Sequence, residues 1–140
     1  MFENPTKAEI DALLKRASTI AIIGLSGTPG RPSHNVAKAL QKFGYRIVPV
    51  NPAATEILGE RSWPDLASAV QAAGPIDVVD VFRRPEFVPA IVDDAIRLAL
   101  PALWLQDGVI DEAAAGRARA AGIFTVMNRC MFRDRSTLAD

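Results

Sequence analysis

The run "TIAIIGLSGTPGRPSHNVAKAL", Thr19 to Leu40, passes from an apolar segment, through a loop rich in glycine and proline, into an amphipathic segment. "TIAIIG" reads as a buried strand. "SHNVAKALQKFG" reads as a helix: Ser33 is suited to cap it, Val36, Leu40 and Phe43 share one face, and Gly44 stops it. Between the two lie about nine residues, long for a strand-to-helix connection. Gly24, Gly27 and Gly30 let the backbone approach another group closely, Ser26 and Thr28 offer hydroxyls, and Arg31 adds a positive charge. The free N–H groups and dipole of a helix start attract an anion. The loop therefore reads as a phosphate cradle, against the alternative of a capped connection that binds nothing.

The rest of the chain repeats this alternation. "PTKAEIDALLKRA" predicts a helix over about 5–17, and "YRIVPVN" a second strand. "ERSW" predicts a short edge strand, followed by a helix opened by Pro64 and ended at Gly74–Pro75. "IDVVDVF", "ALWLQ" and "IFTVM" predict three further strands. "PEFVPAIVDDAIRLAL" and "DEAAAGRARAAG" predict the helices between them. The tail from about Asn128 is expected to be irregular, with "RDR" (Arg133–Arg135) solvated. Strands alternating with helices of this length imply a parallel sheet covered on both faces.

A chain of 140 residues predicts one domain, large enough to bury a core unaided. Lys plus Arg and Asp plus Glu are each 16, and this neutrality argues against nucleic-acid or membrane-surface partners. The apolar runs are strand-sized, and the first residues lack the pattern of a secretory signal. Cytoplasmic localisation is expected. Cys130 is the only cysteine, so an internal disulfide is excluded.

Familiar catalytic and nucleotide motifs fit poorly. The glycines run G-x-x-G-x-x-G, not G-x-G-x-x-G, and the second strand ends in "VPVNP", where NAD enzymes keep an acid for the ribose. "GRPS" is not the G-K-[ST] of a P-loop, and "GLSGT" lacks the last glycine of a hydrolase elbow. His34, the only histidine, is expected to be partly exposed in the first helical turn, and with no second histidine no metal site is expected. Asp77 and Asp80 should face opposite sides of their strand, which excludes paired acid–base work. Asp80, inside an apolar strand, should find a structural hydrogen bond. Trp63 and Trp104 read as core.

"GLSGTPGRPSHNVAKAL", "GYRIVPVNP", "LGERSWPDL", "IDVVDVFRRPE", "ALWLQDGV" and "NRC", in this order, resemble the small stand-alone CoA-binding proteins. These are Rossmann-type domains similar to that of the succinyl-CoA synthetase α subunit. The resemblance spans about Thr19 to Cys130 and implies a single doubly wound α/β domain, with expected strand order 3-2-1-4-5-6 and "ERSW" as the third strand. It implies that Gly24, Ser26, Gly27, Thr28, Arg31 and Ser33 hold the phosphates of coenzyme A or an acyl-CoA. Asn51 and Pro52 would border the adenosine, Phe82 and Arg83 would flank the ligand, and Gln106 and Gly108 would extend the pocket toward the pantetheine arm. The phosphorylated histidine of the synthetase lies in a further domain, so synthetase chemistry and catalytic residues are not expected here. Two rivals stay open: an NAD-linked or acyl-transferring enzyme, and a regulatory module that senses CoA for a protein partner. Cys130 follows the last strand on the ligand side, three strands or roughly 14 Å from the phosphate loop. Beside Arg129, it is a candidate for a mixed disulfide with CoA.

Overall fold

A computed structural model describes residues 1–138. Helix α1 (Lys7–Arg16) leads into β1 (Thr19–Ile23), α2 (Pro32–Lys42) and β2 (Arg46–Val50). A small hairpin of β3 (Glu56–Ile57) and β4 (Glu60–Arg61) precedes α3 (Leu66–Ala73) and β5 (Val78–Val81). A 3₁₀ turn (Pro85–Phe87) runs into α4 (Val88–Arg97), then β6 (Ala102–Leu105), α5 (Glu112–Ala120), β7 (Phe124–Met127) and α6 (Met131–Ser136). Five strands form one parallel sheet in the order β2-β1-β5-β6-β7.

Alternate residues of each strand feed opposite faces, and each face is covered. Ala21, Val48, Val79, Val81 and Leu103 pack in one cluster with residues of α3, α4 and α5. Ile20, Ile22, Ile47, Val78 and Trp104 pack in another with α1, α2 and Met131 of α6. This is the doubly wound Rossmann-like arrangement that the alternation predicts. The helices carry local signals: Thr6 and Glu9 form a capping box on α1, and Asp65 and Asp111 cap α3 and α5.

Four expectations are corrected. First, "ERSW" is not a third strand of the main sheet. Glu60–Arg61 pairs antiparallel with Glu56–Ile57, and only Trp63 touches the sheet edge, through a single parallel bridge to Val50. Pro49 has no N–H to offer on that edge, although its carbonyl accepts from Trp63 N at 3.0 Å, and Pro64 follows at once. The ladder cannot grow past one bridge.

Second, Ser33 does not cap α2. Pro32 occupies the first turn, which makes Arg31 the cap residue, without a side-chain capping bond. Third, the tail is ordered as α6. Asp134, in the middle of "RDR", is buried and holds Arg129 (2.6 Å) and Lys7 of α1 (3.0 Å). Burial pushes its carboxyl up, but the hydrogen bonds and charges of Arg129 and Lys7 prevail and hold it below the usual range.

Fourth, Asp80 has no structural hydrogen-bond partner of good geometry for either carboxyl oxygen among the described residues, although it is fully buried between Ile22 and Trp104 in the sheet register. Burial pushes its carboxyl well above the usual value of 3.8, and the neighbouring Val81 N–H offsets only part of this. Asp77 is different: it accepts from Ser18 N, Ser18 Oγ and Thr19 N at the amino edge, which fixes its role as a strand tie.

A carboxyl whose folded value is raised binds more protons folded than unfolded. Its contribution is intact below the unfolded value and is lost as pH rises toward the folded one. Asp80→Asn should therefore match wild-type stability near pH 4 and gain a growing advantage toward pH 8. Melting curves across that range check this, and parallel curves for the two proteins would contradict it.

Candidate functional site

The strand order puts β1 between β2 and β5. The chain leaves β1 for β2 through α2, then crosses to β5 on the other side. A crevice must open where the two connections part, at the carboxyl ends of the strands. Gly24 stands at that point. Its N–H donates to Val50 O of β2 (3.0 Å), while Phe82 N, just past β5, donates to Ile23 O (2.9 Å). Gly24 has φ +81°, and a Cβ there would collide with the Phe82 carbonyl. Only glycine lets the chain exit between the two neighbours.

Beyond Gly24 the loop is tied by its own side chains. Ser26 N donates to Ser33 Oγ (2.9 Å), and Thr28 N donates to Ser26 Oγ (3.1 Å). Pro32 and the absence of a capping bond from Arg31 leave the first amides of α2 without the usual side-chain partner. These amides, the helix dipole and Arg31 form the anion-attracting end of the site. Among the described residues, no carboxylate is within ion-pair distance of Arg31 or Arg83. Arg83 lies over the Phe87 ring at 4.0 Å, and Arg84 pairs with Glu86.

Two recesses meet here. One, of about 440 Å³, runs past Gly24, Ser26, Asn51, Pro52, Phe82 and Arg83. The other, of about 420 Å³, runs past Gly24, Ser26, Arg31, Ser33, Phe82, Arg83, Gln106 and Gly108. Their shared residues join them into one groove along the carboxyl edge. Thus ten of the residues singled out by sequence line a common surface. Gly27 and Thr28 lie in the exposed loop and Cys130 is buried, so none of these three lines either recess.

Sequence reading missed part of the lining. Pro64, Asp65 and Leu66 at the start of α3, and Ile91 and Asp94 of α4, wall the first recess. Pro64 marked a helix start in the sequence, but not that this start faces the groove. His34, expected to be partly exposed, is buried in α2.

Several polar groups in the groove are already committed. Asn51 Nδ2 donates to Leu25 O (2.8 Å), and its Oδ1 accepts from Ala53 N (2.8 Å). Asp65 accepts from Ser68 N, which holds its carboxyl below the usual range. Gln106 Oε1 accepts from Met131 N (3.0 Å), and Gly108 N donates to Asn128 Oδ1 (2.8 Å). A further recess of about 470 Å³ lies at the opposite edge, where the ends of α1 (Lys15, Ala17) and α2 (Phe43 to Tyr45) meet Arg135 of α6. The dipoles of the helices that end there disfavour an anion, and Lys15 and Arg135 oppose that effect. Among the described residues, no group of His, Cys, Asp and Glu is placed to hold a metal ion, and no helix is long and apolar enough to cross a membrane.

A helix N-terminus opened toward its own topological switch point is the mark of the doubly wound Rossmann-like class. Residues 18–135 match the model of the CoA binding domain, and the chain belongs to that family. It is 40% identical over 129 residues to "Uncharacterized protein YneT" of Bacillus subtilis (strain 168), covering 92% of this chain and 93% of that one. A solved structure of a hypothetical protein from Pyrococcus horikoshii OT3 superposes with a TM-score of 0.88 at 33% identity, covering 99% of each chain. An ADP-forming acetate–CoA ligase of Archaeoglobus fulgidus is 27% identical over 101 residues, which is 70% of this chain but 15% of the ligase.

Gly24→Ala should cost at least about 2 kcal/mol, from left-handed strain plus the collision with Phe82. Gly30→Ala, at φ +93° with nothing within 4 Å of the added carbon, should cost only the strain. Urea midpoints compare them, and equal losses would contradict the role assigned to the Gly24–Phe82 approach.

Proposed function

We propose that this protein binds coenzyme A or an acyl-CoA along the carboxyl-edge groove, without catalytic machinery of its own. The observation that carries this reading is the open start of α2 beside Arg31, which has no ion-pair partner among the described residues. In this reading the hydroxyls of Ser26, Thr28 and Ser33, the Gly27 amide, Arg31 and the first amides of α2 hold the diphosphate. The adenosine lies between Asn51–Pro52 and the start of α3. The pantetheine arm passes Phe82 and Arg83 toward Gln106 and Gly108.

The state of Asn51 supports CoA over NAD. The usual carboxylate at the end of the second strand is replaced by an amide whose oxygen and one N–H are already bonded within the chain. Of the acids that line that recess, Asp65 is engaged as a helix cap and Asp94 pairs with Arg97. An adenosine ligand that depends on a free acid for its ribose hydroxyls finds poor support here.

Arg31→Ala should weaken CoA binding by roughly 1.5–3 kcal/mol, the usual worth of a hydrogen bond to a charged group. Stability without ligand should change by no more than about 0.5 kcal/mol, since Arg31 is exposed. Calorimetric titration of both proteins decides this, and an unchanged affinity would remove Arg31 from the site.

Cys130 extends the same reading. It sits at the start of α6, one residue before the Met131 amide that Gln106 accepts. In the proposed exchange, its thiolate attacks CoA disulfide, forms the mixed disulfide and releases one CoA thiolate. Intact-protein mass should then show one CoA-sized adduct that reductant removes and Cys130→Ser abolishes. An adduct only after unfolding would contradict this role.

A further inference from the structure

The β3–β4 hairpin is built onto the end of β2. Ser62 N donates to Thr55 O and Ser62 Oγ to Asn51 O (3.0 Å), while Asn51 N donates to Trp63 O (2.8 Å). These bonds fix the residues on either side of Ser62 against the strand end. Trp63 presents one ring face to Arg61, whose guanidinium carbon lies 4.3 Å from the ring centroid. Such stacking holds the planar cation in place and leaves its N–H edge free.

Arg61 is exposed, and among the described residues no carboxylate is within ion-pair distance of it, its cross-strand neighbour Glu56 included. It lines a recess of about 600 Å³ together with Thr55, Glu56 and Ser62, and this recess shares Asn51, Pro52 and Pro64 with the groove. In a doubly wound domain the ribose next to the adenine lies at the end of the second strand. The usual acid for ribose hydroxyls is absent there, and a positioned cation stands beside the place instead. A cation at that point suits a phosphate on the ribose, not bare hydroxyls.

We propose that Arg61, held over the Trp63 ring, binds a phosphate on the ribose of the ligand and so makes the groove selective for a 3′-phosphorylated adenosine nucleotide. The inference rests on the CoA reading and names the residue that would distinguish CoA from its 3′-dephospho form.

The test titrates CoA and 3′-dephospho-CoA into wild type, Arg61→Ala and Arg61→Lys. Wild type should prefer CoA by roughly tenfold or more, the scale of one charge-assisted hydrogen bond. Arg61→Ala should lose that preference by weakening CoA alone, and Arg61→Lys should keep part of it. Unchanged melting temperatures without ligand would confirm that the variants are folded. Equal affinity of wild type for both ligands, or an equal loss of both in Arg61→Ala, would overturn the role of Arg61 while leaving CoA binding intact. Failure of wild type to bind either would overturn the CoA reading and this inference with it.

Discussion

The approach of Gly24 to the Phe82 carbonyl is the constraint on which the site depends. β1 is hydrogen-bonded on both sides, so its exit must pass between Val50 O and Phe82 O with no room for a side chain. That passage aims the loop along the carboxyl edge. It brings α2 down with its N-terminus at the crevice between β1 and β5, and it makes the two recesses one groove. A larger residue at Gly24 would push apart the two strand ends that form the groove floor.

The groove separates groups that hold structure from groups left open. Ser26, Ser33, Asn51, Asp65 and Gln106 all use polar atoms to fix loops and helix ends. Among the described residues, Arg31 and Arg61 have no ion-pair partner and the first amides of α2 have no side-chain cap. Net charge is zero over the whole chain, yet the cations Arg31, Arg83 and Arg84 gather along one edge. Local placement, not overall charge, suits the site to an anionic ligand. Asp80 stands in contrast: its buried carboxyl has no hydrogen-bond partner among the described residues, and it does not line the groove.

Much of this was legible in the sequence because the signals were local. Strand-length apolar runs, proline and glycine punctuation, and the glycine spacing after "TIAIIG" each depend on residues close together. The ten groove residues followed from the glycine-rich loop after the first strand and from the resemblance of the strand ends to CoA-binding domains. What escaped depended on distant partners. Helix α6 looks polar until Lys7, 127 positions away, pairs with Asp134. The edge position of "ERSW" failed because Pro49, in another strand, lacks the N–H that a longer ladder needs. Ser33 has the side chain of a cap, but Pro32 starts the helix one residue earlier and makes Arg31 the cap residue. The walls supplied by Leu66 and Ile91 could not be seen without knowing which helix faces the crevice.

Occupation of the carboxyl-edge groove by CoA can be followed by NMR, with CoA added stepwise to the labelled protein and amide chemical shifts mapped. The amides of Ser26, Gly27, Thr28, Arg31, Asn51, Arg83 and Gly108 should shift together with one affinity, while those of Gly44 and Gly122 at the opposite edge stay fixed. Shifts confined to the recess around Tyr45, or no saturable shift anywhere, would contradict it.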